Sequence, residues 1–99
     1  MSLKLGTREL AEAAEFMQRE ASLHWRSGKM RPNRSKCCAV ALWAKNQYAE
    51  GITDEAELFK RLKNDRFLID QCGSIWLLLL GNLLIQLFIR WLNNRNETR

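Results

Sequence analysis

The chain has 99 residues, of which 46% are hydrophobic and 27% are charged, and its formal net charge is +5. This length fits one domain over residues 1–99, and the apolar content excludes an intrinsically disordered chain. Three cysteines are too few for a disulfide scaffold, and one histidine leaves little material for a metal site or a general base.

The first predicted element is an amphipathic helix over residues 8–26. Thr7 is a suitable N-cap, and Glu9 lies in the first turn, where the helix dipole favours a carboxylate. Small and apolar residues then recur at spacings of three and four, which indicates one buried face. These residues are Leu10, Ala13, Ala14, Met17, Ala21 and Trp25.

Two further helices are predicted over residues 34–50 and 54–70. The segment before the second helix contains Pro32, the only proline, and Gly51 follows its end. The third helix begins with acidic residues and continues with basic ones, the order that the helix dipole favours. We expect both helices to be half-buried surface helices.

The fourth predicted helix, over residues 74–93, is unusually rich in leucine. The chain has 33 large apolar residues, counting Val, Ile, Leu, Met, Phe and Trp, and 17 of them lie between Phe67 and Leu92. Residues 75–92 would span about 27 Å as a helix, close to the thickness of a hydrocarbon core. The sequence therefore predicts an all-α, four-helix arrangement whose last helix is a transmembrane or oligomer-core segment.

One interpretation of the fourth helix is a membrane span. Trp76 and Trp91 stand near its two ends, as membrane-interface anchors do. Basic residues are more numerous on the N-terminal side, and this favours a cytoplasmic N-terminal region. Against insertion stand Asn82 and Gln86, because amides near the middle of a span offset much of the gain from leucine.

A second interpretation is the central helix of a soluble bundle, and a third is self-association. Asn82, Gln86 and Arg90 are spaced by four, so they share one stripe of the helix. In a soluble bundle, this stripe is the part of the helix that reaches solvent. In an oligomer it faces another copy, where amides hydrogen-bond between helices or line a polar pore. We expect a homo-oligomer with or without a membrane.

The connector over residues 24–36 is the most basic part of the chain. It carries five cations and no acid, and the charges of the other segments cancel. Such a segment attracts phosphate, either in nucleic acid or in the head-groups of an anionic membrane, and Trp25 could stack on a base. The alternative is a solvated loop that keeps the protein soluble. The candidate contact residues are Trp25, Arg26, Lys29, Arg31, Arg34 and Lys36.

The sequence offers no arrangement of residues for catalysis. It has no zinc-ligand spacing, no glycine-rich phosphate loop and no nucleophile motif, so we expect no metal, no cofactor and no enzyme. We interpret Cys37 and Cys38 as small buried residues. Their presence as free cysteines fits a reducing compartment such as the cytoplasm. The expected function is a non-catalytic helical protein that self-associates through its last helix, as a membrane-anchored scaffold or pore. The alternatives are a soluble module that binds nucleic acid through residues 24–36, and a protein–protein adaptor.

Overall fold

The computed structural model describes residues 5–24 and 30–97, with side chains as far as residue 95, and within these ranges it has five α-helices and no strand. The all-α class predicted from the sequence is confirmed. The predicted helices lie close to their expected positions, but the third is divided into two. The helices are α1 (Thr7–His24), α2 (Arg34–Ala49), α3 (Glu55–Lys63), α4 (Arg66–Cys72) and α5 (Ser74–Glu97).

The division between α3 and α4 depends on Asp65. One oxygen of its carboxylate accepts a hydrogen bond from the backbone N–H of Leu68 at 3.0 Å and so caps α4. The other oxygen accepts from the indole N–H of Trp43, on α2, also at 3.0 Å. A single side chain therefore starts one helix and ties it to another. The apolar spacing continues across this break, which is why the sequence pattern predicts one helix there.

Glycine ends two of the helices. Gly51, after α2, has a φ of 88°, and Gly73, between α4 and α5, has a φ of 91°. Residues with a Cβ rarely adopt this conformation, so both positions suit glycine alone. Gly73 lets the chain turn sharply from α4 into α5, in agreement with the helix boundary predicted at this point.

Helix α5 is the centre of the fold and contacts each of the other four helices. One side of it is buried along nearly its whole length, and Phe88 is fully buried between Tyr48 and Trp91, with ring centroids 6.1 and 6.2 Å away. Helices α1 and α2 pack against each other, and both bury small side chains completely, including Ala13 and Ala41. The buried residues of α5 are Trp76, Leu77, Leu80, Leu84, Ile85, Leu87, Phe88, Trp91 and Leu92.

Gly81 of α5 lies in close contact with side chains of α3. A Cβ placed on Gly81 would lie 2.5 Å from Cδ2 of Leu62 and 3.5 Å from Cε1 of Phe59. Leu62 is fully buried, so its side chain has little room to move away. The glycine in this leucine-rich helix therefore serves packing between helices.

Replacing Gly81 with leucine should lower the free energy of unfolding by about 1–3 kcal/mol, because the new side chain overpacks the contact with Leu62. The control is Asn46→Leu, at an exposed position of α2, which should change stability by no more than about 0.5 kcal/mol. Urea unfolding followed by circular dichroism measures both. A Gly81→Leu protein as stable as the wild type would show that α3 does not pack here.

Candidate functional site

A cavity of about 500 Å³ lies where the segment before α2 meets the junction of α4 and α5. It is an open cavity rather than an enclosed one, and it combines cationic, hydroxyl, amide and apolar groups. Its lining residues come from two parts of the chain, residues 30–36 and 72–76, which are far apart in sequence. They are Met30, Arg31, Asn33, Lys36, Cys72, Gly73, Ser74, Ile75 and Trp76.

Trp76 organises this cavity. Its indole N–H donates a hydrogen bond to the backbone carbonyl of Arg31 at 3.2 Å, and so ties the segment before α2 to α5. The ammonium nitrogen of Lys36 lies 5.1 Å from the centroid of the Trp76 ring, within the range of a cation–π interaction. The tryptophan itself is only 3% exposed. The buried side chain of Trp76 thus contacts the backbone of Arg31 and the side chain of Lys36.

The two charged residues that line the cavity, Arg31 and Lys36, are both cations. None of its lining residues is Asp or Glu. The ion pairs found among the described residues, Arg8–Glu12 and Arg61–Glu57, lie on other helices. Burial raises the pKa of the Cys72 thiol in the cavity wall, and the nearby positive charge of Lys36 opposes that rise. The field of the Lys36 ammonium therefore reaches the wall of the cavity.

The structure brings together two of the cations predicted from the basic connector. Arg31 and Lys36 line the cavity, whereas Arg34 is exposed as the first residue of α2 and does not line it. The other three predicted contacts, Trp25, Arg26 and Lys29, lie outside the described residues. Trp76 and Ser74 complete the cavity from the far end of the chain, and no local sequence pattern links them to residues 31–36.

The second candidate site is the exposed stripe of α5. Asn82, Gln86 and Arg90 are all exposed and lie on the side of the helix that faces away from the core. The same stripe continues toward the start of the helix through three apolar side chains. These are Ile75, Leu78 and Leu79, which are 66%, 57% and 46% exposed. The stripe that the rest of the protein leaves open is therefore apolar at its first turns and polar further along.

The two tryptophans expected at membrane interfaces are packed inside the bundle. Trp76 holds the cavity described above, and Trp91 stacks on Phe88 and is 9% exposed. Within the described residues, Ser74–Arg95 is the one segment long and apolar enough to cross a membrane, with a mean hydropathy of 1.8. However, 56% of this apolar window is buried against the other helices. Its length and composition thus fit a membrane span and a core helix alike.

The described residues contain no group of three or more His, Cys, Asp or Glu side chains that could hold a metal ion. The single histidine, His24, is exposed at the end of α1. Comparison with models of protein families, with curated protein sequences and with solved structures found no match to this chain.

Proposed function

We propose that this protein is a non-catalytic helical protein that forms a two-fold symmetric homodimer through the exposed stripe of α5. The observation that carries the proposal is the exposure of Ile75, Leu78 and Leu79 on consecutive turns of one helix, in line with two amides. Three large apolar side chains on one stripe are typical of an interaction surface. In the dimer, the exposed stripe of α5 in one copy packs against the exposed stripe of α5 in the other copy.

The free energy of such a dimer comes from the apolar turns. Full burial of a Leu or Ile side chain contributes about 1.5–3 kcal/mol, and these three side chains are roughly half exposed. Each copy therefore contributes about 2.5–5 kcal/mol, and a two-fold axis doubles this gain. This free energy of apolar burial offsets part of the translational and rotational entropy that the two copies lose on association.

The polar part of the stripe suits a second copy of the same chain. Each Asn or Gln side chain both donates and accepts hydrogen bonds, so two amides related by a two-fold axis can satisfy each other. With antiparallel helices and the axis near Asn82, the two copies of that amide face one another and Ile75 faces Ile89. The same arrangement keeps the two Arg90 side chains about 24 Å apart along the helices, which limits their repulsion.

A second candidate function is a membrane anchor, and the length and mean hydropathy of Ser74–Arg95 support it. Insertion would require α5 to leave the bundle, where side chains such as Leu84 and Phe88 are fully buried. It would also place Asn82 and Gln86 in hydrocarbon unless another helix supplied partners for them. These two costs make the dimer the better supported function.

Introducing a cation into the stripe tests the dimer. We expect the wild-type protein to have twice the 11.6 kDa mass of the chain in sedimentation equilibrium without detergent. Leu78→Arg should be a monomer at the same concentration, because the substitution places two unpaired charges in one interface. Leu23→Arg is the matched control: Leu23 is 63% exposed on α1, so this variant should remain dimeric.

Three results would contradict this function. A monomeric wild-type protein would exclude the dimer, and so would dissociation of the Leu23→Arg control to the same extent as Leu78→Arg. Recovery of the protein only from detergent-solubilised membranes would favour the anchor instead. Circular dichroism of both variants verifies that the helices are intact, which the exposure of the two leucines leads us to expect.

A further inference from the structure

We propose that the cavity lined by Arg31, Lys36 and Ser74 is a binding site for a phosphate monoester, a small group that carries close to two negative charges. The charged groups of this site lie before and in α2 rather than along the stripe of α5, and the cavity shares Ile75 alone with that stripe. Both sites can be tested independently.

The first argument is the charge of the cavity. Arg31 and Lys36 come from opposite sides of the Asn33 cap and line one cavity, and no carboxylate lines it with them. No described carboxylate forms an ion pair with either cation. Two cations without a protein counter-ion attract an anion from solution. Hydrogen bonds from a cation to an anion are stronger than hydrogen bonds between neutral groups.

The second argument is that Trp76 positions the backbone of Arg31 and the ammonium group of Lys36 before any ligand binds. The indole N–H holds the carbonyl of Arg31 at 3.2 Å, and the ring lies 5.1 Å from the Lys36 ammonium. A preorganised site loses less conformational entropy on binding than a flexible loop with the same charges. The cation–π contact leaves the hydrogen-bond donors of the ammonium available, since the ring face offers no oxygen or nitrogen acceptor.

The third argument is the match to phosphate. Asn33 and Ser74 also line the cavity. The side-chain oxygen Oδ1 of Asn33 already accepts a hydrogen bond from the backbone N–H of Lys36 at 2.8 Å. This leaves the amide N–H₂ of Asn33 and the hydroxyl of Ser74 as donors beside the two cations. A monoester presents three terminal oxygens and nearly two charges to these four groups.

The geometry favours a terminal phosphate over the backbone of a nucleic acid. A nucleic-acid backbone carries one charge per phosphate, and proteins bind it with a row of cations. Here Arg34, the next cation along the segment, is exposed outside the cavity. The volume of about 500 Å³ has room for the group that bears the phosphate.

Titration of the full-length protein with inorganic phosphate, followed by NMR, tests the site. The indole N–H resonance of Trp76 should shift and saturate, while that of Trp43, bonded to Asp65 on another face, should stay in place. Arg31→Gln and Lys36→Gln should each weaken binding by at least about tenfold, because each removes one charge-assisted contact. Arg34→Gln removes the same charge outside the cavity and should change binding by less than about twofold.

Sedimentation with lipid vesicles distinguishes two sources of the phosphate monoester, a lipid head-group and a soluble molecule. If the wild-type protein sediments with vesicles of phosphatidic acid and phosphatidylcholine, but not with phosphatidylcholine alone, and inorganic phosphate releases it, the monoester is a lipid head-group. If phosphate shifts Trp76 and the vesicles bind nothing, the monoester belongs to a soluble molecule. Either result supports the proposal.

Three results would overturn it. The first is no saturating shift of Trp76 in phosphate together with no binding to vesicles. The second is an equal loss of binding in Arg34→Gln and Lys36→Gln, which would indicate diffuse attraction to the segment. The third is tight binding of an oligonucleotide without terminal phosphates that inorganic phosphate does not displace. Lys36→Arg keeps the charge and should retain binding, which excludes misfolding as the cause of the losses.

Discussion

Replacing Phe88 with alanine is expected to lower the free energy of unfolding by about 3–5 kcal/mol. Phe88 is the largest of the fully buried side chains, and it lies on the central helix between Tyr48 of α2 and Trp91 of α5. Its removal takes away buried apolar area and two aromatic contacts, and leaves a cavity that the surrounding helices can fill only in part. For a protein of this size such a loss is a large share of the total stability.

The matched control is Leu78→Ala on the same helix. Leu78 is 57% exposed, so its truncation leaves the core intact and should change the stability of the monomeric fold by no more than about 1 kcal/mol. Guanidinium unfolding at several protein concentrations separates this effect from dimerisation, because only the dimer term depends on concentration. Equal losses in Phe88→Ala and Leu78→Ala would mean that α5 is not held in the bundle by the side described here.

The helices themselves were predictable from the sequence, because they depend on local patterns. The three- and four-residue spacing of small and apolar residues defines the buried face of α1, and Ala13, Met17 and Ala21 are indeed fully buried. The helix boundaries at Gly51 and Gly73 follow from the positive φ that glycine adopts without strain. The spacing of four also places Asn82 and Gln86 together on the exposed stripe.

The break between α3 and α4 was not predictable in the same way. Aspartate is a common N-cap, but Asp65 interrupts a continuing apolar pattern, and its second oxygen is held by Trp43 from another helix. A contact over 22 residues therefore stabilises this break. Local spacing contains no information about such a partner, so a single longer helix was the natural prediction.

The cavity could be predicted only in part. A cluster of cations without acids is visible in the sequence, and both cations that line the cavity, Arg31 and Lys36, belong to it. The partner that organises them, Trp76, is 45 residues away from Arg31, and its position near the end of an apolar helix favoured a membrane interface instead. Only the packing of α5 against the other helices shows that this indole faces inward.

The stability of the protein should fall steeply in alkaline solution. Burial, with the nearby thiolates of Cys72 and Cys38, raises the pKa of Cys37 from 9.0 to about 12. Below pH 9 the thiol is protonated in both the folded and the unfolded chain, so the full stability is present. Between pH 9 and 12 the unfolded chain loses this proton while the folded protein keeps it, and the free energy of unfolding decreases as the pH rises. The expected loss is about 1.4 kcal/mol per pH unit, or about 2–3 kcal/mol between pH 9 and 11.

Cys37→Ala isolates this contribution, since it removes the titrating thiol and substitutes another small side chain at a fully buried position. Urea unfolding at pH 8, 9, 10 and 11 should show a shallower fall in the variant than in the wild type. Some fall should persist, because burial also raises the pKa values of Tyr48 and Cys72. Cys38→Ala, which alters the half-buried neighbouring residue, should keep most of the wild-type slope. Identical slopes in the wild type and Cys37→Ala would show that this thiol is not shielded from water, and that α2 does not pack against α4 as the structure has it.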